Sequence, residues 1–114
     1  MPQVSNFGKG REGEERAAIY LASLGYRILA RNARLPGGEI DIIALDGSTL
    51  VFIEVKRRSQ RRFGSALAAV DARKRRVLRT IATDYAQVIA PHAALRFDIV
   101  ALDGNRVTLH RNAF

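Results

Sequence analysis

The sequence contains no cysteine and no tryptophan, and no apolar run in it approaches the roughly 18 residues that a membrane-spanning helix needs. Without cysteine there is no disulfide framework, no thiolate metal site and no thiol nucleophile, and a zinc finger is excluded. Aromatic residues make up only 7% of the chain and are scattered, which disfavours a platform that stacks single-stranded bases. Internal repeats, low-complexity tracts and a Pro/Gly/Ser linker are also missing, so a single domain over residues 1–114 is expected. The opening residues, Met1 to Asn6, have neither the basic nor the apolar region of a signal peptide. A cytoplasmic protein without membrane association is the expectation.

Positive charge is plentiful, and it is concentrated. Nineteen basic and 11 acidic residues give a net charge of +8. Between Lys56 and Arg79 ten basic residues face one acid, Asp71, for a local charge of +9, which leaves the remainder of the chain at −1. Charge so localised repels itself unless a polyanion is near, so the distribution points to nucleic acid. Arg57, Arg58, Arg61 and Arg62 form one basic group, and Arg73, Lys74, Arg75, Arg76 and Arg79 a second. Both suit backbone phosphates, whose contacts position a nucleic acid without reading its sequence. A solvated helix face is the bland alternative. Docking on an acidic partner or an anionic membrane is weaker, because no apolar anchor accompanies the basic strip.

Hydrophobic spacing gives the order of elements. Ala17, Ala18, Leu21 and Leu24 recur at helical intervals from about Glu12, and Gly25 is a natural stop. Tyr26 to Ala30 reads as a short strand and Pro36-Gly37-Gly38 as a turn. Two β-rich runs, Glu39 to Leu45 and Thr49 to Val55, flank Asp46-Gly47-Ser48, a strong hairpin signal. A second helix follows Asp71 as N-cap, with Val77, Leu78, Ile81, Ala82 and Tyr85 on its apolar face, and ends before Pro91. A last hairpin turns at Asp103-Gly104. Helices packed on a mixed sheet, an α/β fold, follow from this order.

The first hairpin carries the chemistry. Strict alternation places Glu39, Asp41, Ile43 and Leu45 on one face of their strand and Leu50, Phe52, Glu54 and Lys56 on one face of the next. A two-residue Asp46-Gly47 loop sets Glu39 opposite Glu54, and a four-residue loop sets Asp41 opposite Glu54. Either register brings the acids onto one face, with Ile40, Ile42, Val51, Ile53 and Val55 on the other, whereas a three-residue loop separates them. Facing carboxylates repel, so a positive group belongs among them. Mg²⁺ takes oxygen ligands from one or two carboxylates plus substrate phosphate, which suits Asp41 and Glu54, and Lys56 can orient water or stabilise charge at phosphorus. Glu14, on the buried stripe of the first helix, is drawn towards the same cluster. The spacing alone fits equally a surface ion-pair lattice with Glu14 as a first-turn acid.

Other signals are weak. Gly8-Lys9-Gly10-Arg11-Glu12-Gly13 matches the string of a dinucleotide fingerprint but lacks the strand that must precede it. His92 and His110 have no partner at metal-ligand spacing, and no serine triad is visible.

Taken together, Gly38-Glu39-Ile40-Asp41, the thirteen-residue step to Glu54-Val55-Lys56, Phe63-Gly64-Ser65, the Gly13-Glu14 helix with Ala17 and Tyr20-Leu21, and Arg96-Phe97-Asp98 resemble the YraN family over nearly the whole chain. That family is similar to the Holliday-junction resolvases and the wider restriction-endonuclease-like PD-(D/E)xK nucleases. The resemblance implies a central mixed sheet flanked by helices and a phosphodiesterase dependent on Mg²⁺ or Mn²⁺, acting on DNA, with branched DNA a candidate substrate. Asp41 and Glu54 would be its metal-binding acids, Lys56 its lysine and Glu14 its helix-borne acid. Ile40 stands where the motif has proline, a position that bears no chemistry. A homodimer would suit cleavage of paired strands. The competing reading is a catalytically silent nucleic-acid-binding accessory module, because a fold can outlive its activity.

Overall fold

The computed structural model describes residues 4–57 and 72–114, with side chains from residue 12 onward. The described residues form α1 (Val4–Ser23), β1 (Arg27–Leu35), β2 (Gly38–Asp46), β3 (Thr49–Arg57), α2 (Ala72–Ile89), β4 (Leu95–Asp103) and β5 (Arg106–His110). The strands build one five-stranded mixed sheet in the order β1-β2-β3-β4-β5, in which only β3 and β4 run parallel. Parallel neighbours need a crossover, and α2 supplies it.

Among the described residues, one helix packs on each face of the sheet. On one side Ala17, Ala18 and Leu21 of α1 pack on Ile42, Ala44, Val51, Ile53, Val100 and Leu102. On the other Leu78, Ile81, Ala82 and Ala86 of α2 pack on Ile40, Ile43, Leu50, Phe52, Phe97 and Ile99. Phe52 stacks on Phe97 at 5.6 Å between ring centroids, and Phe97 meets Phe114 at 5.2 Å. The spacing predicts Val77 on this face, yet it is exposed; Leu78, Ile81, Ala82 and Ala86 make a stripe that points it outwards.

Helix α1 starts well before Glu12, because the glycines in its first half each cost about 1 kcal/mol and do not break a helix anchored further along. It stops where expected. Gly25 takes φ of +97°, its N–H bonds the Ala22 carbonyl and the Tyr26 N–H bonds the Leu21 carbonyl, the reciprocal pair of a Schellman end. The first hairpin takes the expected register that faces Asp41 with Glu54, and in both hairpins the two-residue loop lies one residue beyond the Asp-Gly pair. Asp46 pairs with Thr49 and Asp103 with Arg106, so the loops are Gly47-Ser48 and Gly104-Asn105, with the positive φ of glycine at the first loop position. No described helix is long and apolar enough to cross a membrane.

Candidate active site

The register of the first hairpin brings the acids together. Pairing runs from Asp46 with Thr49 to Ile42 with Ile53, so its continuation faces Asp41 with Glu54, but the ladder stops there. Instead of a strand carbonyl, the Asp41 carboxylate accepts the Val55 N–H, at 2.8 Å from Oδ2.

A kink in the strand pair causes this. Ile40 and Ile43 lie in the same α2-side cluster, while Ile42 and Ala44 lie on the α1 side. Three-residue spacing on one face is incompatible with strict alternation, so the expected grouping of Ile40 with Ile42 is corrected. Ala30 and Ala33 on β1 show the same jump, and between them Asn32 adopts a left-handed φ of 52°, which asparagine tolerates better than most residues. Asp41 thus sits where the pair changes face. It interacts with Glu14 from the α1 side and with Glu54 from the α2 side.

Glu54 is only 6% exposed. Burial, followed by the charge of Asp41, pushes its carboxyl up to about 7, against the attraction of Lys74 and Lys56. Lys56, on the same face of β3, is held below the ordinary lysine range by burial and by the adjacent Lys74 ammonium. Glu14 is buried where its helical position places it. Burial and Asp41 raise its carboxyl, offset by a hydrogen bond with Asn32 and the charge of Arg31. Its Oε1 is buried with no hydrogen-bond partner among the described residues. Glu39 is exposed and contributes only a weak repulsion to Glu14.

Of the expected phosphate-binding residues, Arg58, Arg61 and Arg62 lie outside the described residues, as do the Asp71 cap and Phe63-Gly64-Ser65. Arg57 is directed to the α1 side, its Nη2 only 3.1 Å from where a Cβ on Gly13 would stand. Arg73, Arg75 and Arg76 lie exposed on α2, and the guanidinium of Arg79 covers the Phe97 ring at 4.7 Å. Lys74 departs from that strip: its Nζ is 3.7 Å from Glu54 Oε1.

Asp98 does not close the site. It is fully buried on the other face of the sheet, where it receives Arg96 Nε at 3.0 Å, Tyr26 Oη at 3.1 Å and the Asn112 N–H at 3.0 Å. Arg96 also pairs with Asp46 at 2.9 Å, so this network ties β4 to the β2–β3 turn and to the C-terminal segment.

Two residues important to the cluster escape a reading for motifs. Lys74 lies four and seven positions before Leu78 and Ile81, so it continues the inward stripe of α2, and that spacing is the signal that could have found it. Asn32 is visible only once β1 is paired with β2.

Chemically the cluster offers two adjacent carboxylates whose repulsion favours a proton or a cation between them, an unsatisfied buried carboxyl oxygen at one side and a lysine pair at the other. Among the described residues there is no group of three or more His, Asp or Glu side chains that could hold a metal ion. A dedicated all-protein cage is therefore not built. The hard-oxygen pair Asp41 and Glu54 fits instead the mode of Mg²⁺, which uses one or two carboxylates and completes its shell with water and phosphate.

The profile of the uncharacterised protein family UPF0102 matches residues 13–102. A UPF0102 protein of Halorhodospira halophila is 48% identical over 107 residues, covering 93% of this chain and 86% of the relative. One from Shewanella loihica is 40% identical over 114 residues, the full length of both chains, and one from Symbiobacterium thermophilum is 47% identical over 111, covering 92% of this chain and 94% of its own. The matched span contains Glu14, Asp41, Glu54 and Lys56 together with the second half of α1, β1 to β3, α2 and nearly all of β4, and the chain belongs to the UPF0102, or YraN, family.

Proposed function

We propose that this protein is a Mg²⁺- or Mn²⁺-dependent endonuclease of restriction-endonuclease-like fold that hydrolyses DNA phosphodiester bonds, with branched DNA a candidate substrate. One observation carries the reading: a carboxylate pair, the half-buried Asp41 and the buried Glu54, opened out of a strand ladder beside Lys56 and followed in the sequence by a strongly basic segment. When bound, a divalent cation supplies charge neutralisation at the phosphate and lowers the pKa of coordinated water. Asp41, held by the Val55 N–H, and Glu54 would be its protein ligands. Lys56, held below the ordinary lysine range by burial and by Lys74, would orient the attacking water or stabilise charge at phosphorus. Glu14 would extend the acidic wall from α1. Arg73, Arg75 and Arg76 on α2, with the basic residues after Lys56, would hold backbone phosphates. Cutting paired strands calls for two such sites, hence a homodimer on the DNA.

The test is incubation with linear, nicked, flapped and four-way-junction DNA in Mg²⁺, Mn²⁺ or EDTA, beside Glu54→Ala and Lys56→Ala. Metal-dependent cleavage, lost in both variants, is the expected result. Salt-dependent binding without cleavage of any substrate would overturn it in favour of a silent nucleic-acid-binding module, a reading that the charge concentrated between Lys56 and Arg79 also supports.

A further inference from the structure

Lys74 is set apart from its neighbours in the sequence. Arg73, Arg75 and Arg76 are exposed on α2, whereas Lys74 is half-buried, with its Nζ 3.7 Å from Glu54 Oε1 and close to the Lys56 ammonium. Its place on the stripe with Leu78 and Ile81 fixes this direction, because those side chains anchor α2 to the sheet. Asp41, Glu54, Lys56 and Lys74 together are formally neutral, so Lys74 offsets the second carboxylate of the pair.

A divalent cation between the two carboxylates would face two ammonium groups at short range, and that arrangement is repulsive. Lys56 rises from the sheet, with its neighbour Val55 packed into the core. Lys74 comes from the rim of a helix on a flexible four-carbon stem with more than a third of its side chain in solvent, so it has room to swing outwards. We infer that Lys74 is the resident counter-ion of the site, which neutralises Glu54 before metal loading and is displaced by the metal towards a substrate phosphate. The inference rests on the proposal that Asp41 and Glu54 hold the cation. It makes metal binding weak in the free protein and stronger once a phosphate backbone receives Lys74.

Titration with Mn²⁺ alone, followed through the paramagnetic resonance signal of the free ion, tests this without any measurement of cleavage. Lys74→Met, which keeps the stem and removes the charge, is expected to bind Mn²⁺ at least about fivefold more tightly than wild type in the absence of DNA. Lys74→Gln provides the same test should Met disturb α2, and Arg106→Met, an exposed cation on β5 outside the site, should change the affinity less than about twofold. Glu54→Gln should lose the binding altogether. Glu54-dependent binding in wild type that is unchanged or weakened by both Lys74 substitutions would overturn the counter-ion role alone. Absence of Glu54-dependent binding in every variant would overturn the metal site, and this inference with it.

Discussion

Replacing Glu54 by glutamine should stabilise the metal-free protein, and only above a particular pH. The carboxyl is 6% exposed and its pKa rises from 4.5 in a free chain to about 7 in the fold. A raised acid means that the native state keeps a proton which the unfolded chain releases. Stability therefore falls as pH rises from 4.5 to 7, and the full cost persists above 7. At 1.36 kcal/mol per pKa unit the penalty amounts to about 3 kcal/mol, or roughly 10 °C in Tm for a chain of this size. Glutamine has the same shape, cannot ionise and can donate its amide to Asp41. Urea unfolding in EDTA at pH 8 should show Glu54→Gln more stable than wild type by about 3 kcal/mol, and at pH 4.5 the gap should shrink below about 0.5 kcal/mol. An unchanged or reduced stability at pH 8, or a gap that does not vary with pH, would refute the reasoning that burial and Asp41 hold this carboxyl near neutrality.

Mn²⁺ should reverse that order at about one thousand times its dissociation constant, where the ion adds about 4.1 kcal/mol to wild type and nothing to Glu54→Gln, measured by thermal unfolding. Arg73→Ala combined with Arg76→Ala should weaken DNA binding at all sequences alike and reduce the slope of log K against log salt by about 2, one unit per lost phosphate contact; an unchanged slope would take α2 out of the interface. Asp98→Ala should cost about 3 kcal/mol or more, because Arg96 and the Tyr26 hydroxyl lose a fully buried partner, while leaving cleavage per folded molecule unaltered. Loss of cleavage without loss of stability in that variant would move Asp98 into the site.

Local signals were enough for the order of elements. Gly25 after Leu24 marked the end of α1, and Asp46-Gly47 between two β-rich runs marked the hairpin, although the loop proved to be Gly47-Ser48. The acids of the cluster were also legible, since Glu54 and Lys56 keep regular alternation along β3 and Glu14 follows the helical stripe of Ala17, Ala18 and Leu21. Asp41 opposite Glu54 was one of the two expected registers, but alternation put Ile40 on the wrong face. The position of Asp41 depends on a kink that requires Asn32, nine residues earlier, to take a left-handed conformation opposite it, and no single strand encodes such a pairing. Lys74 was read with its arginine neighbours because charge dominated the reading of that segment, whereas the spacing to Leu78 and Ile81 already turned it inwards. The partners of Asp98 come from Tyr26, Arg96 and Asn112, so its structural role emerges only when four distant parts of the chain meet.

The central claim is that Asp41 and Glu54 jointly hold a divalent cation. Diffraction from crystals soaked in Mn²⁺, collected where manganese scatters anomalously, tests it most directly. The account predicts an anomalous peak bounded by the carboxyl oxygens of both residues, absent from Glu54→Gln crystals. A map with manganese elsewhere and none between Asp41 and Glu54 would contradict it.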